Sequence, residues 1–218
     1  MIQMYGVSMR YKEDIEVLHD LTMSVDRGEF AFLVGPSGAG KTTVLRLLYS
    51  ELIPTEGQII VSGQNLSKIK SSQLPYFRRK LGVVFQDFKL LPNKTVEQNI
   101  AFSMRVTGAR RSQIRKNVER VLKWTNLTHR RNALPEDISG GEQQRTSIAR
   151  AMVNNPQIIL ADEPTGNLDP RLSLEIMRLF DRLNRQGTTV LVATHDINLV
   201  AQLGKRVIKL EHNPAVEE

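Results

Sequence analysis

The chain has 218 residues, 40% hydrophobic and 24% charged, with 30 Lys and Arg against 23 Asp and Glu for a net charge of +7. That length supports one sizeable domain with a buried core, and the lack of cysteine excludes disulfides and thiolate metal sites. No basic-then-apolar leader opens the chain and no window approaches the roughly 18 apolar residues of a membrane helix, so a cytoplasmic protein is expected.

In chain order, Leu21, Met23 and Val25 alternate with polar residues and run into the turn Asp26-Arg27-Gly28, the pattern of a half-buried strand. Phe30-Ala31-Phe32-Leu33-Val34 is apolar without alternation, as expected of a strand covered on both faces. Val44, Leu45, Leu47 and Leu48 then predict a helix ending before Pro54. Further buried strands are expected at 81–85, 158–161 and 188–193, which makes the chain α/β with a mainly parallel sheet. Between about 92 and 155 helical patterns follow one another. Thr95 and Gln98 stand at capping-box spacing, and Ile114, Val118, Val121 and Leu122 share a helical face. The segment is expected to be a helical insertion between strands of the core.

Chemistry first shows in Gly35-Pro36-Ser37-Gly38-Ala39-Gly40-Lys41-Thr42, with Thr43 next, placed between the 30–34 strand and the helix after it. The spacing matches G-x-x-x-x-G-K-[ST], in which glycines let backbone N–H groups surround phosphates and the helix adds the positive end of its dipole. Lys41 is the expected point charge for the β- and γ-phosphates, and Thr42 the hydroxyl ligand of Mg²⁺. Asp162-Glu163 ends the apolar run 158–161, and carboxylates there are costly unless a cation meets them. Asp162 is expected to reach Mg²⁺ through a water, and Glu163 to orient or deprotonate the attacking water. The alternative is that the pair only caps the turn Pro164-Thr165-Gly166.

Ile138-Ser139-Gly140-Gly141-Glu142-Gln143-Gln144-Arg145 resembles the LSGGQ signature of ATP-binding-cassette ATPases, and by its spacing also forms a capping box at a helix start, with Ile148, Ala149 and Met152 on the buried face. The resemblance covers essentially the whole chain. It implies a P-loop core with a small antiparallel β subdomain, from 1–91 and 156–218, and a helical signature subdomain over about 92–155, in a single domain spanning 1–218. It also implies an ATP-driven homodimer, in which Ser139, Gly140, Gly141 and Glu142 grip the γ-phosphate bound to the opposite subunit. Tyr11 resembles the family's adenine-stacking aromatic residue, Gln86 the glutamine that meets Mg²⁺ and senses a membrane partner, Asp169 the D-loop aspartate, and His195 the switch histidine at the γ-phosphate. His19, His129 and His212 have no such context. The sequence departs from the pattern at Ile138, at Glu142 and at Gly166-Asn167; Glu142 adds negative charge near a phosphate site.

The stretches 29–41, 77–87 and 149–156 look most like the cell-division branch of the family. That branch implies an FtsX-like integral membrane subunit, whose outer part regulates peptidoglycan hydrolases, and a place on the inner face of the cell membrane. Residues 161–169 are shared with lipoprotein-releasing and macrolide-exporting transporters, which is the alternative reading. Basic clusters at 78–80, 110–111, 115–116 and 130–131 suit a solvated face or an anionic membrane surface, and leave as a further alternative a nucleotide-dependent scaffold or nucleic-acid-binding module. No dedicated nucleic-acid motif is visible, and nucleic acid is not expected as a partner.

Overall fold

The computed structural model describes residues 1–11 and 15–211; His212 lies outside the described residues. In chain order, β1 (Ile2–Arg10), β2 (Glu16–Val25) and β3 (Phe30–Val34) lead into α1 (Lys41–Leu48), followed by β4 (Glu56–Val61), β5 (Gln64–Asn65), α2 (Leu74–Arg78) and β6 (Leu81–Val84). Three helices come next, α3 (Val96–Val106), α4 (Arg111–Trp124) and α5 (Gly140–Met152). The chain then returns through β7 (Ile158–Asp162), α6 (Pro170–Asn184), β8 (Thr189–Thr194), α7 (Ile197–Leu203) and β9 (Arg206–Lys209).

The five-stranded sheet has the order β6-β7-β8-β3-β9, and every pairing in it is parallel. Its side chains divide between two cores, as a sheet covered on both faces requires. Phe30 and Phe32 of β3, Ile159 and Ala161 of β7 and Val190 and Val192 of β8 pack with residues of α3, α4, α5 and α6. Their neighbours Ala31, Leu33, Ile158, Leu160, Leu191 and Ala193 pack instead with α1 and the second sheet. The unbroken apolar runs are therefore two alternating sets on one strand, each filling a different core.

The second sheet, β2-β1-β4-β5, is antiparallel throughout. Where β4 meets the register shift in β1, Gly57 has φ 86 and a Cβ there would stand 2.3 Å from the Gly6 carbonyl oxygen, so glycine alone fits. A parallel core sheet with an antiparallel subdomain is the architecture expected from the sequence. The sequence pattern finds the parallel strands to within a residue or so, but it does not single out β9, the short edge strand whose Arg206, Val207 and Lys209 are all exposed.

Thr95 forms its capping box with Gln98 at the start of α3. In α4, Val118, Val121 and Leu122 are buried and Ile114 packs against the same core from a partly buried position.

Candidate active site

Parallel strands bring their C-terminal ends to one edge of the sheet, and that edge is where ligands of open α/β sheets sit. Here it gathers the loop after β3, the acidic end of β7, the residue after β8 and the segment after β6. The loop holds its shape through Gly40, the α1 N-cap, at φ 87. A Cβ on Gly40 would fall 2.7 Å from Leu18 Cδ2 and 3.1 Å from Val17 Cγ1, so neither the backbone angle nor the packing admits another residue.

Lys41 is buried at 8% exposure, and its ammonium donates to the carbonyls of Gly35 and Pro36 at 2.8 Å each. An ammonium has three protons, so one remains for an anion; Glu163 Oε1 lies 3.9 Å away. The same Glu163 oxygen lies 2.9 Å from His195 Nδ1. Because an ionised carboxylate can only accept, Nδ1 is the donor in this pair. Glu163 has φ 42, a strained angle for a residue with a Cβ. Its backbone N–H is tied to the Ala193 carbonyl at 2.9 Å.

Burial raises the pKa of Asp162, and the neighbouring charge of Glu163 adds to this, against a hydrogen bond from the Thr42 hydroxyl and the attraction of Lys41. Asp162 Oδ1 and Glu163 Oε2 are both buried without a hydrogen-bond partner. Unpaired carboxylate oxygens beside a threonine hydroxyl fit a hard divalent cation that takes its other ligands from phosphate and water. Among the described residues no cluster of three His, Cys, Asp or Glu is arranged to hold a metal without such help.

A cavity of about 620 Å³ is lined by Pro36, Ser37, Gly38 and Gly40 of the loop, by Lys41, Thr42 and Thr43 of α1, and by Gln86, Glu163 and His195. Gly35 and Ala39 do not line it; Ala39 is buried behind the loop. Tyr11 stands at the mouth, 42% exposed, with its hydroxyl 3.1 Å from Thr43 Oγ1. Val17 completes the wall beside it. Sequence reasoning passed over Val17, an ordinary strand valine that nothing local distinguishes.

The signature residues line no part of this cavity. Ser139 caps α5, accepting from the Glu142 N–H at 3.3 Å, while Glu142 Oε2 accepts from the Ser139 N–H at 2.9 Å and its hydroxyl at 3.1 Å. Glu142 Oε1 is met by Arg130 Nε at 2.9 Å and His129 Nε2 at 3.5 Å. The extra negative charge expected near the phosphate site is thus turned inward and paired within the chain. Ser139 and Gly140 are exposed, whereas Gly141 is buried and a Cβ on it would lie 2.2 Å from Leu172 Cδ2 of α6. Asp169 caps α6, accepting from the N–H groups of Arg171 and Leu172.

Arg150 is a further residue that the sequence did not flag. Its guanidinium donates to the Phe88 carbonyl at 2.7 Å and to the Lys89 carbonyl. Both acceptor residues have left-handed backbones, with φ 56 and 49, so α5 holds the strained segment that follows Gln86.

A loop built for phosphates and an acidic pair on one edge of a parallel sheet define the class, a P-loop nucleoside triphosphatase. The ABC transporter family matches residues 18–166, and the chain belongs to this family of ATP-hydrolysing cassettes. It is 47% identical over 218 residues to the cell division ATP-binding protein FtsE of Bacillus subtilis (strain 168), covering 100% of this chain and 96% of that protein. It is 50% identical over 217 residues to the protein of the same name from Streptococcus pneumoniae serotype 2, covering 100% and 94%. Among solved structures it is similar to the dimeric, post-hydrolysis state of the ATP-binding cassette MJ0796 bound to ADP and Pi, with a TM-score of 0.89 and 37% identity over 98% of this chain and 97% of that one.

The Glu142 pairing predicts an acid response. Burial disfavours the charge, but the Ser139 N–H and Arg130 outweigh it and lower the pKa from 4.5 to about 2. A depressed folded-state pKa means stability present above about pH 4.5 and lost as pH falls toward about 2. Thermal unfolding of wild type should lose midpoint temperature across that window. The Glu142→Gln variant, which keeps an acceptor for Ser139 but no charge, should show a flatter profile there.

Proposed function

We propose that this chain is the ATPase subunit of a membrane-bound cell-division complex, binding Mg-ATP between two copies of itself and driving an FtsX-like integral membrane subunit that regulates peptidoglycan hydrolases. The observation that carries the catalytic part is the meeting of Lys41, Glu163 and His195 around one carboxylate oxygen, at 3.9 and 2.9 Å. The relatives named FtsE support the biological part.

In this reading Tyr11 stacks on the adenine, and backbone N–H groups from Gly35 through Thr43, including Pro36's neighbours Ser37, Gly38, Ala39 and Gly40, cradle the phosphates. Lys41 exchanges a carbonyl contact for phosphate oxygens. Thr42, Gln86 and Asp162, the last through a water, hold Mg²⁺, which supplies charge neutralisation on the phosphates. Glu163 takes a proton from water as its oxygen attacks the γ-phosphorus. The bond to the ADP oxygen breaks and inorganic phosphate leaves. His195 holds Glu163 through Nδ1–H, and its other nitrogen donates to the γ-phosphate when the ring carries both protons. Ser139, Gly140 and Gly141 complete the site of the opposite subunit through a capped helix N-terminus, with Glu142 fixing that turn from behind and Asp169 shaping the adjacent D-loop. The subdomain boundaries near 92 and 155 follow the same reading.

The surface for the membrane subunit is proposed at the groove of about 600 Å³ bounded by Pro75, Phe85, Leu91, Phe102 and Val106, beside the segment that Arg150 holds. The occupant is a cytoplasmic segment of that subunit. Its support is position: the groove leads from Phe85, the neighbour of Gln86, to an exposed corner where Val106 is 62% exposed. The corner carries Arg105, Arg110, Arg111, Arg115 and Lys116, with no acidic residue between Glu97 and Glu119. The other basic clusters are used inside the chain. Arg78 donates to the Tyr49 and Ser50 carbonyls, and Arg130 and Arg131 pair with Glu142, Glu97 and Glu119. No described helix is long and apolar enough to cross a membrane; the corner's unopposed positive charge is what assigns it to the anionic inner leaflet.

Replacing Glu163 by Gln should lower kcat about 10²–10⁴-fold while ATP binding persists and the dimer accumulates, read by phosphate release and light scattering. Turnover that survives the change would remove Glu163 as the base. Affinity purification of the tagged chain from gently solubilised membranes should recover a division-type membrane subunit; recovery of a transport permease would replace the biological role and keep the catalytic one. Neutralising Arg110, Arg111, Arg115 and Lys116 together should weaken sedimentation with anionic vesicles, at about 1 kcal/mol per charge, and unchanged binding would remove the membrane assignment of that corner.

A further inference from the structure

Gln144 lies in the first turns of α5, and neither the helix cap nor the nucleotide cavity accounts for it. Its side chain is 1% exposed. Nε2 donates to the Pro164 carbonyl at 2.6 Å, across 20 residues of chain, and Oε1 is buried without a partner. An amide half of which is buried unpaired is a poor choice for filling space, since an apolar side chain would serve better there. Its single contact is therefore the feature to explain.

Pro164 directly follows Glu163, whose backbone stands at φ 42. A residue in that region persists only when its surroundings hold it. One hold is on the near side, where the Glu163 N–H donates to Ala193 of β8 at 2.9 Å. On the far side the Glu163 carbonyl accepts from the Gly166 N–H at 3.1 Å within the turn, and the contact that reaches this turn from another element is that of Gln144. The backbone from the Glu163 N–H to the Pro164 carbonyl is thus held between a core strand and α5. Close packing of Gly141 on Leu172 leaves the first turn of α5 little freedom to shift without carrying Gln144 with it.

We propose that Gln144 is a positioning residue, which aims Glu163 at the attacking water by fixing the backbone beside it and so links the alignment of that carboxylate to the placement of the signature turn. The proposal rests on the reading of Glu163 as the base. A carboxylate misplaced by about an ångström costs on the order of 10²-fold in rate, whereas the phosphate loop, on β3 and α1, does not depend on the Pro164 carbonyl.

The test uses the full chain with its membrane partner. Gln144→Met keeps length and volume but has no donor, and Gln144→Glu keeps the shape while replacing the donor. Either variant that folds should show kcat lowered about 10- to 100-fold, with nucleotide affinity within about threefold of wild type. In the Glu163→Gln background the same substitution should leave the residual single-turnover rate unchanged within about twofold, because the base it aims is gone. An unchanged kcat, a loss carried mainly in affinity, or a loss that multiplies with that of Glu163→Gln would overturn the proposal, as would failure of both variants to fold. If Glu163→Gln alone retains turnover, the reading of Glu163 fails instead, and the two failures are told apart.

Discussion

Two adjacent carboxylates at the end of a strand covered on both faces set the terms for everything around them. Burial alone makes Asp162 harder to ionise, and Glu163 beside it adds to the difficulty. A fold that keeps such a pair must bring cations and donors to it, because the interior cannot solvate the charge. Lys41, the Thr42 hydroxyl and His195 are those groups. Lys41 and Thr42 open α1, the helix that follows β3, and His195 directly follows β8, so the parallel order β7-β8-β3 is what makes the carboxylates tolerable. Even so, one oxygen of each is left unpaired, and the site is completed only by something that brings positive charge and further oxygens.

The helix α5 connects this edge to the rest of the molecule. Its first turn is closed by the Ser139–Glu142 box, with Arg130 and His129 covering the carboxylate from outside. Its middle holds Pro164 through Gln144, and its far end holds the carbonyls after Gln86 through Arg150. The second of these contacts lies at the β7 end of the site and the last beside the groove by β6. Glutamate at position 142 is compatible with a phosphate-facing turn because its charge is spent on the chain's own N–H and guanidinium groups, leaving the exposed residues Ser139 and Gly140 without a like charge in front of them.

What could be seen in the sequence follows from how local each signal is. The phosphate loop is contiguous, and its flanking strand and helix are apolar runs of the right lengths, so residues 30–48 were legible to within a residue. The buried strands 158–161 and 188–193 showed for the same reason. The capping boxes at Thr95 and Ser139 are three-residue patterns and were equally plain. Val17, Gln144 and Arg150 were not legible, because each acts across a sequence gap, of 20 residues for Gln144 and about 60 for Arg150. A buried glutamine and a polar-looking arginine carry no mark of the carbonyl they will find. The direction of Glu142 was hidden likewise, since spacing shows that it caps but not that Arg130 neutralises it. β9 escaped notice because an edge strand with exposed side chains lacks the apolar run that betrayed its neighbours.

The distribution of positive charge separates along the same lines. A net +7 suggests one basic surface, yet Arg78, Arg130, Arg131, Arg150 and Lys41 each hold carbonyls or carboxylates of their own chain. Those of Arg78, Arg130, Arg131 and Arg150 are structural, and that of Lys41 faces the nucleotide cavity. Other cations are exposed singly, but at the α3–α4 corner Arg105, Arg110, Arg111, Arg115 and Lys116 are grouped, their side chains with no hydrogen-bond or ion-pair partner among the described residues, and the apolar Phe102 and Val106 of α3 are exposed as well. Exposed cations next to exposed apolar groups suit a lipid surface, where headgroups and the acyl boundary meet both needs, better than a nucleic acid, which would want the cations alone. The corner adjoins the groove that reaches back to Arg150 and to Phe85, next to Gln86. A partner seated there is therefore placed to be felt by α5, and through α5 by the carboxylate pair on which the fold was built.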